Sequence, residues 1–181
     1  MYINGALWRA RLYSSKGRIG PEAFVKGLTL IVLLHALIVM LGAYNFHASA
    51  ILGLLSLSLL YPLFCLLIKR SHDGGKSGWY SCLWFFILLM VWFIMSAIAQ
   101  NLTGGDLLLE MNNATLAALE ANDFEALLKV SENYAQPIAQ KTNVAVGLAR
   151  LTGLVGAGAL LNMMIGADLH DNQYGPAGND A

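Results

Sequence analysis

This sequence predicts an all-α, polytopic membrane fold with four transmembrane helices. Three observations predict it. Uncharged apolar runs recur four times, the charges cluster between them, and 57% of residues are hydrophobic against 12% charged. Soluble globular chains carry about 25% charged residues, so half the usual charge is missing. A helix needs about 20 apolar residues to cross about 30 Å of hydrocarbon. Val25–Tyr44, Ala48–Ile68, Trp79–Ala99 and Val144–Ala167 each meet that need. A formal net charge of zero over 181 residues excludes the basic face that nucleic-acid binding requires.

Residues 1–24 form a basic N-terminal segment, with Arg9, Arg11, Lys16 and Arg18 against Glu22 alone. Ile3 and Leu7 share one helical face, as do Trp8 and Leu12, which suits a helix lying in the headgroup layer. A solvated basic tail fits the same residues. Gly17, Gly20 and Pro21 then break the pattern. Ala48-Ser49-Ala50 has the form of a signal cleavage site, but the preceding apolar run is too long and starts too late for a signal core. Span one is expected to be retained.

Residues 25–99 hold helices one to three, joined by a polar loop at 69–78. His35 lies near the middle of span one, where an ionisable group is a functional candidate. The structural alternative is a neutral histidine bonded to a neighbouring span, with Ser56, Ser58 and Tyr61 in reach. The short connection Asn45–His47 makes spans one and two antiparallel neighbours. Pro62 is expected to kink span two. Cys65 and Cys82 lack Cys-x-x-Cys spacing and read as small apolar side chains. Trp79 and Tyr80 stand where an aromatic belt belongs, and the aromatics of span three read as lipid-facing.

Residues 100–142 are different in kind. Six acids (Asp106, Glu110, Glu120, Asp123, Glu125, Glu132) face only Lys129 and Lys141. Leu108, Met111, Thr115 and Ala118 follow helical spacing, as do Phe124, Leu127, Leu128 and Ser131. The spacing predicts an extramembrane hairpin of two short helices, with Asn122 and Asp123 capping between them and Pro137 ending the second. Its apolar stripe packs on itself, on the membrane surface or on a partner. Helix four, 143–167, repeats Ala149, Gly153 and Ala157 every fourth residue, a spacing that lets helices approach closely. Arg150 is expected to snorkel to the interface. A tail, 168–181, follows.

Lysine and arginine give the orientation. Arg9, Arg11, Lys16, Arg18, Lys26, Lys69, Arg70 and Lys76 lie on one side, so both termini and the central loop are expected in the cytoplasm and the acidic hairpin outside.

The central loop carries most of the chemistry. Gly75-Lys76-Ser77 lacks the first glycine of a phosphate loop, since Arg70 stands there. His72-Asp73 with His170-Asp171 has metal-ligating residue types but no fixed ligand spacing. Asp73 pairing within its own loop and His72 capping a turn is the plainer reading. Lys69, Arg70, His72, Asp73, Lys76, Ser77 and Trp79 also suit a contact to lipid headgroups or a partner. No catalytic set stands out, and no cofactor or metal is expected.

Arg70-Ser71-His72-Asp73-Gly74-Gly75-Lys76-Ser77-Gly78-Trp79-Tyr80 resembles the Arg-x-His-Asp-x-x-Lys/Arg-Ser-Gly-Trp-Trp signature of the YhaH/YhaI-type bacterial inner-membrane proteins, a domain family of unknown function. Gly17-Arg18-Ile19-Gly20 with Phe24 is similar to the family's opening motif. Asn172-Gln173-Tyr174-Gly175-Pro176 is similar to its closing Asn-x-Tyr/Phe-Gly-Pro. Two departures stand out: Pro21 where a second arginine is common, and the acidic hairpin where the family has a short turn. The resemblance implies a bacterial cytoplasmic membrane protein with all three motifs on the cytoplasmic side, and no particular reaction.

The expected function is therefore a non-enzymatic membrane protein acting through protein and lipid contacts, as an accessory subunit of a larger complex. Its partners would be membrane lipids and other membrane subunits, or a second copy. The alternatives are a small transporter or channel using His35, Arg150 and Pro62, and a lipid or metal sensor using His72 and Asp73.

Overall fold

A computed structural model describes residues 12–42 and 49–176. The amphipathic reading of Ile3 to Arg11, the connection Asn45–His47 and the last five residues lie outside the described residues. Among the described residues these helices follow in order: α1 (Pro21–Gly42), α2 (Ser49–Ser58), α3 (Leu60–Asp73), α4 (Tyr80–Glu120) and α5 (Phe124–Ile165). Among the described residues, four stretches are long and apolar enough to cross a membrane: α1, Ile51–Asp73, α4 and α5. Leu30, Leu37, Leu54, Phe86, Ile94 and Leu160 all point outward, exposed. Water does not tolerate so continuous an apolar belt, whereas lipid is its solvent. The protein is a multi-pass membrane protein.

Several boundaries move from their expected places. The loop at 69–78 is shorter, because α3 stays helical through Asp73 and only 74–79 link it to α4. Span two is divided at Leu59, three residues before Pro62. The cause is still Pro62: it has no N–H for the Ser58 carbonyl, and its ring crowds that carbonyl.

The larger change is in the acidic segment. Two separate short helices were expected there. The first joins its span across a kink at the non-helical Gly104 of α4, whereas the second runs on without a break into the span of α5. At 41 and 42 residues, each is about 62 Å long at 1.5 Å per residue, twice the hydrocarbon thickness. Pro137 lies inside α5 instead of ending it. It sits on the exposed face, where water can satisfy the freed carbonyl.

The hairpin tip follows local chemistry closely. Asn122 adopts a left-handed φ of 53°, and Asp123 N–H reaches back to the Ala118 carbonyl at 3.0 Å while Asn122 N–H bonds Leu119. That is a Schellman ending for α4. Asp123 then caps α5, its carboxylate accepting from Ala126 N–H at 3.0 Å. Along the hairpin, Gly104, Leu108, Met111, Thr115 and Ala118 turn inward. Their four-three spacing is that of a two-helix seam, so the stripe packs on itself.

The apolar core sits in the opposite half. Phe24, Leu28 and Ile31 of α1, Leu66 and Leu67 of α3, Trp84 and Leu88 of α4, and Leu154, Leu161 and Ile165 of α5 form one buried cluster. Trp84 thus faces inward, against the expectation that span-three aromatics face lipid. Helix α5 runs through the centre with small residues on two faces. Gly147 and Gly158 meet Met40 and Leu28 of α1, whereas Gly153 meets Met95 of α4. Ala149 and Ala157, expected at a tight contact beside Gly153, are half-buried.

Candidate functional site

Three loops and two helix ends meet at one end of the bundle, and their polar side chains close into a clasp. Asp73, in the last turn of α3, is its centre. One carboxylate oxygen takes Arg70 Nη1 at 2.6 Å and the other takes Arg18 Nε at 3.2 Å. The Arg18 and Asp73 side chains are only 1% and 2% exposed. Two cations on one carboxylate are held only where further acceptors take up their remaining N–H groups.

Those acceptors are present. Arg70 donates Nε to Asn162 Oδ1 at 2.5 Å and Nη2 to the Asn162 carbonyl at 2.9 Å. Asn162 passes its own amide to the Pro21 carbonyl at 3.2 Å. Arg18 donates Nη1 to the His170 carbonyl at 2.7 Å and Nη2 to the Asp73 and Asp168 carbonyls. Asp168 N–H returns to the Asp73 carbonyl at 2.8 Å. The clasp ties the start of α1 to the ends of α3 and α5 and to the tail.

The tail is shaped to fit. Asn172 and Gly175 exchange backbone hydrogen bonds at 3.1 and 3.0 Å, and Gly175 has a φ of 133°, open to glycine alone without strain. The Asn172 side chain accepts from Tyr174 N–H at 2.9 Å and donates to the His72 carbonyl and to Asp168. Pro176 closes the turn. Tyr174 stacks on His72 with centroids 3.9 Å apart and planes 4° from parallel. His72 Nδ1 donates to the Gly17 carbonyl at 3.2 Å. Phe24 is fully buried beneath. Gly74 is required by close approach, since a Cβ there would lie 2.8 Å from the Ile165 carbonyl oxygen. The Asp168 carboxyl is held below its ordinary value by the His170 N–H first, then by Asn172 and the Arg18 charge.

The expected site residues therefore divide. Gly17, Arg18, Phe24, Arg70, His72, Asp73, Asn172, Tyr174, Gly175 and Pro176 come together around the clasp. Lys69 and Arg70 turn inward, 5% and 1% exposed, because the Asp73 and Asn162 partners of Arg70 lie inside the bundle. Lys76, Ser77 and Trp79 stay outside the clasp, on the loop between α3 and α4. Trp79 is 82% exposed, and Lys76 Nζ lies 5.6 Å from the Tyr80 ring centroid. His72, Ser77, Gly78, Trp79, Cys82 and Tyr174 line an open hollow of about 510 Å³. His170 points outward, 92% exposed, away from His72-Asp73. No group of three or more metal-ligating side chains occurs among the described residues.

A second polar group lies inside the membrane. His35 bonds Ser56 Oγ at 2.8 Å and Trp92 Nε1 at 3.1 Å. Arg150 does not snorkel: it is 9% exposed, donates Nε to Ser96 Oγ at 2.7 Å and lies 4.0 Å from the Trp92 ring centroid. Ser56 was foreseen as a partner of His35. Trp92, Ser96, Asn162 and Asp168 were not. Asn162 alone left a trace, as the one amide deep in span four.

The family described as “Protein of unknown function (DUF805)” matches residues 12–176. Comparison with curated proteins and with solved structures returned no match.

Proposed function

The chain belongs to the DUF805 family of unknown function, and from that premise we propose that it is a non-enzymatic membrane protein whose projecting hairpin docks a partner subunit. One observation carries the reading. Leu102, Leu109 and Leu116 recur every seventh residue of α4 and are exposed, on the side away from the α4–α5 seam. Leu119, and Phe124 and Leu128 at the tip, extend this outward apolar surface. The seam itself is complete without them, so they are available for a second surface. Six acids against two lysines surround the stripe, which favours a partner that is basic and apolar over a second copy of the same face.

At the clasp, the buried charged groups bond one another, an arrangement suited to holding the bundle that presents the hairpin. The lysine and arginine distribution supports a clasp and both termini in the cytoplasm with the hairpin outside. The resemblance to the YhaH/YhaI-type proteins supports a bacterial inner membrane. The test is photocrosslinking in native membranes. A probe at Leu109 should give a discrete protein adduct, absent for a probe at the seam residue Met111 and abolished by Leu116→Lys. Lipid adducts alone at Leu109, or none, would sink the proposal.

A further inference from the structure

Between α1, α2–α3 and α4 a crevice opens sideways at the depth of His35. Its volume is about 250 Å³, and its walls are apolar apart from His35, Ser56 and Trp92. A cavity of about 150 Å³ accommodates benzene, so this one has room for a substituted ring or a ring with a short chain.

The hydrogen positions at its polar end follow from donor chemistry. An indole N–H only donates, so His35 Nε2, 3.1 Å from Trp92 Nε1, accepts and carries no proton. The imidazole is therefore neutral, with its hydrogen on Nδ1. That hydrogen points to Ser56 Oγ, 2.8 Å away. Ser56 thus spends a lone pair on His35 and keeps its own O–H, which has no acceptor among the described residues. A hydroxyl donor left over in an apolar crevice is a standing cost unless something accepts from it.

The donor is held from behind. The Arg150 guanidinium, anchored on Ser96, lies over the Trp92 face. Trp92 fixes the His35 tautomer, and His35 fixes which way Ser56 can turn. Depth selects the acceptor. His35 lies 14 residues from the start of α1, about 21 Å along it, well inside the hydrocarbon. Phospholipid ester oxygens stay at the headgroup boundary and do not reach that level.

We propose that this crevice binds a lipid-soluble carbonyl compound of the isoprenoid quinone class, its ring and chain against the apolar walls and one carbonyl oxygen accepting from Ser56. Only binding is proposed. Ser56 is the contact residue, and His35, Trp92 and Arg150 position it. This site is independent of the hairpin and does not rest on the docking proposal.

The test uses the full chain in phosphatidylcholine nanodiscs titrated with decylubiquinone, read by tryptophan quenching. Saturable quenching is expected, weakened about fivefold to tenfold by Ser56→Ala, the loss of one net hydrogen bond. Ser56→Thr should restore it, and Leu89→Trp, which fills the crevice, should abolish the saturable part. Non-saturable quenching equal in wild type and Ser56→Ala would overturn the proposal. So would undiminished saturable binding to Ser56→Ala, or saturable quenching by brominated acyl chains that decylubiquinone does not displace. Nitrogen-15 spectra of histidine-labelled protein give a readout free of mutation. They should show an unprotonated Nε2 at His35 and a shift at Nδ1 on adding decylubiquinone. A His35 protonated at Nε2, or one unmoved by the probe, would also overturn it.

Discussion

The two ends of this molecule use charge in opposite ways. At the clasp, Arg18, Arg70 and Asp73 are withdrawn from solvent and each has several partners. At the hairpin, Lys129–Glu125 and Lys141–Asp106 are single ion pairs in the open. Buried pairs are individually expensive to break, because the abandoned partner keeps its charge where nothing hydrates it. Exposed pairs cost little, because water and salt take the place of the lost partner. The clasp end is therefore the rigid base, and the hairpin derives its order from its apolar seam rather than from its charges.

The sharpest way to break this comparison is to remove one charge at each end. Asp73→Ala leaves Arg18 and Arg70 facing each other and should cost about 3–5 kcal/mol. A large fall in the thermal midpoint of the detergent-solubilised protein would show it. Lys129→Ala at the hairpin should leave the midpoint within error. Equal, small shifts from the two substitutions would refute the distinction between the ends.

How much of this was legible in the sequence differs between the same two ends. The hairpin was readable because its signals are local: a four-three apolar spacing from Leu108 to Ala118, and an Asn122-Asp123 turn with the right cap chemistry. The continuity of its second helix with span four was not read, since nothing in a polar sequence marks where a helix leaves the membrane without stopping. Pro137 looked like a stop, but on a wet face a proline costs one hydrogen bond and no more geometry than a long helix can absorb. The clasp was legible only as three separate motifs. That Arg18 and Asp73, 55 residues apart, bond each other is set by how α1 and α3 pack, which spacing does not encode. Arg150 was misread for a related reason. Its distance from the end of the span allowed snorkelling, whereas the inward choice depends on Ser96 and Trp92 across an interface.

Packing offers a second contrast, now between two glycines of α5. A Cβ at Gly158 would lie 1.9 Å from Leu28 Cδ2, inside the core, whereas one at Gly156 meets nothing within 4 Å. Glycine to alanine in a helix gains about 0.5–1 kcal/mol from backbone entropy. At Gly156 that gain stands alone, so Gly156→Ala should raise the thermal midpoint slightly. At Gly158 the overlap with a buried leucine outweighs it, and Gly158→Ala should destabilise by about 1–3 kcal/mol. If both substitutions stabilise, α1 and α5 do not meet at Leu28.

The smallest expected effect separates the clasp's core from its rim. Asp168 lies at the rim, its carboxyl held below the ordinary 3.8 by the His170 N–H, Asn172 and the Arg18 charge. A carboxyl lowered on folding contributes stability that is full above 3.8 and fades as pH falls through the lowered value. The charged and titratable groups that act on it are Arg18 and His170. In a Cys82→Ser background, a spin label on Gln173→Cys should remain immobilised from pH 8 to about pH 4 and gain mobility only below the carboxylate range. Asp168→Asn should remove that acid transition. Mobility gained well above the carboxylate range, or an acid transition that survives Asp168→Asn, would show that the tail's hold does not depend on the Asp168 carboxylate.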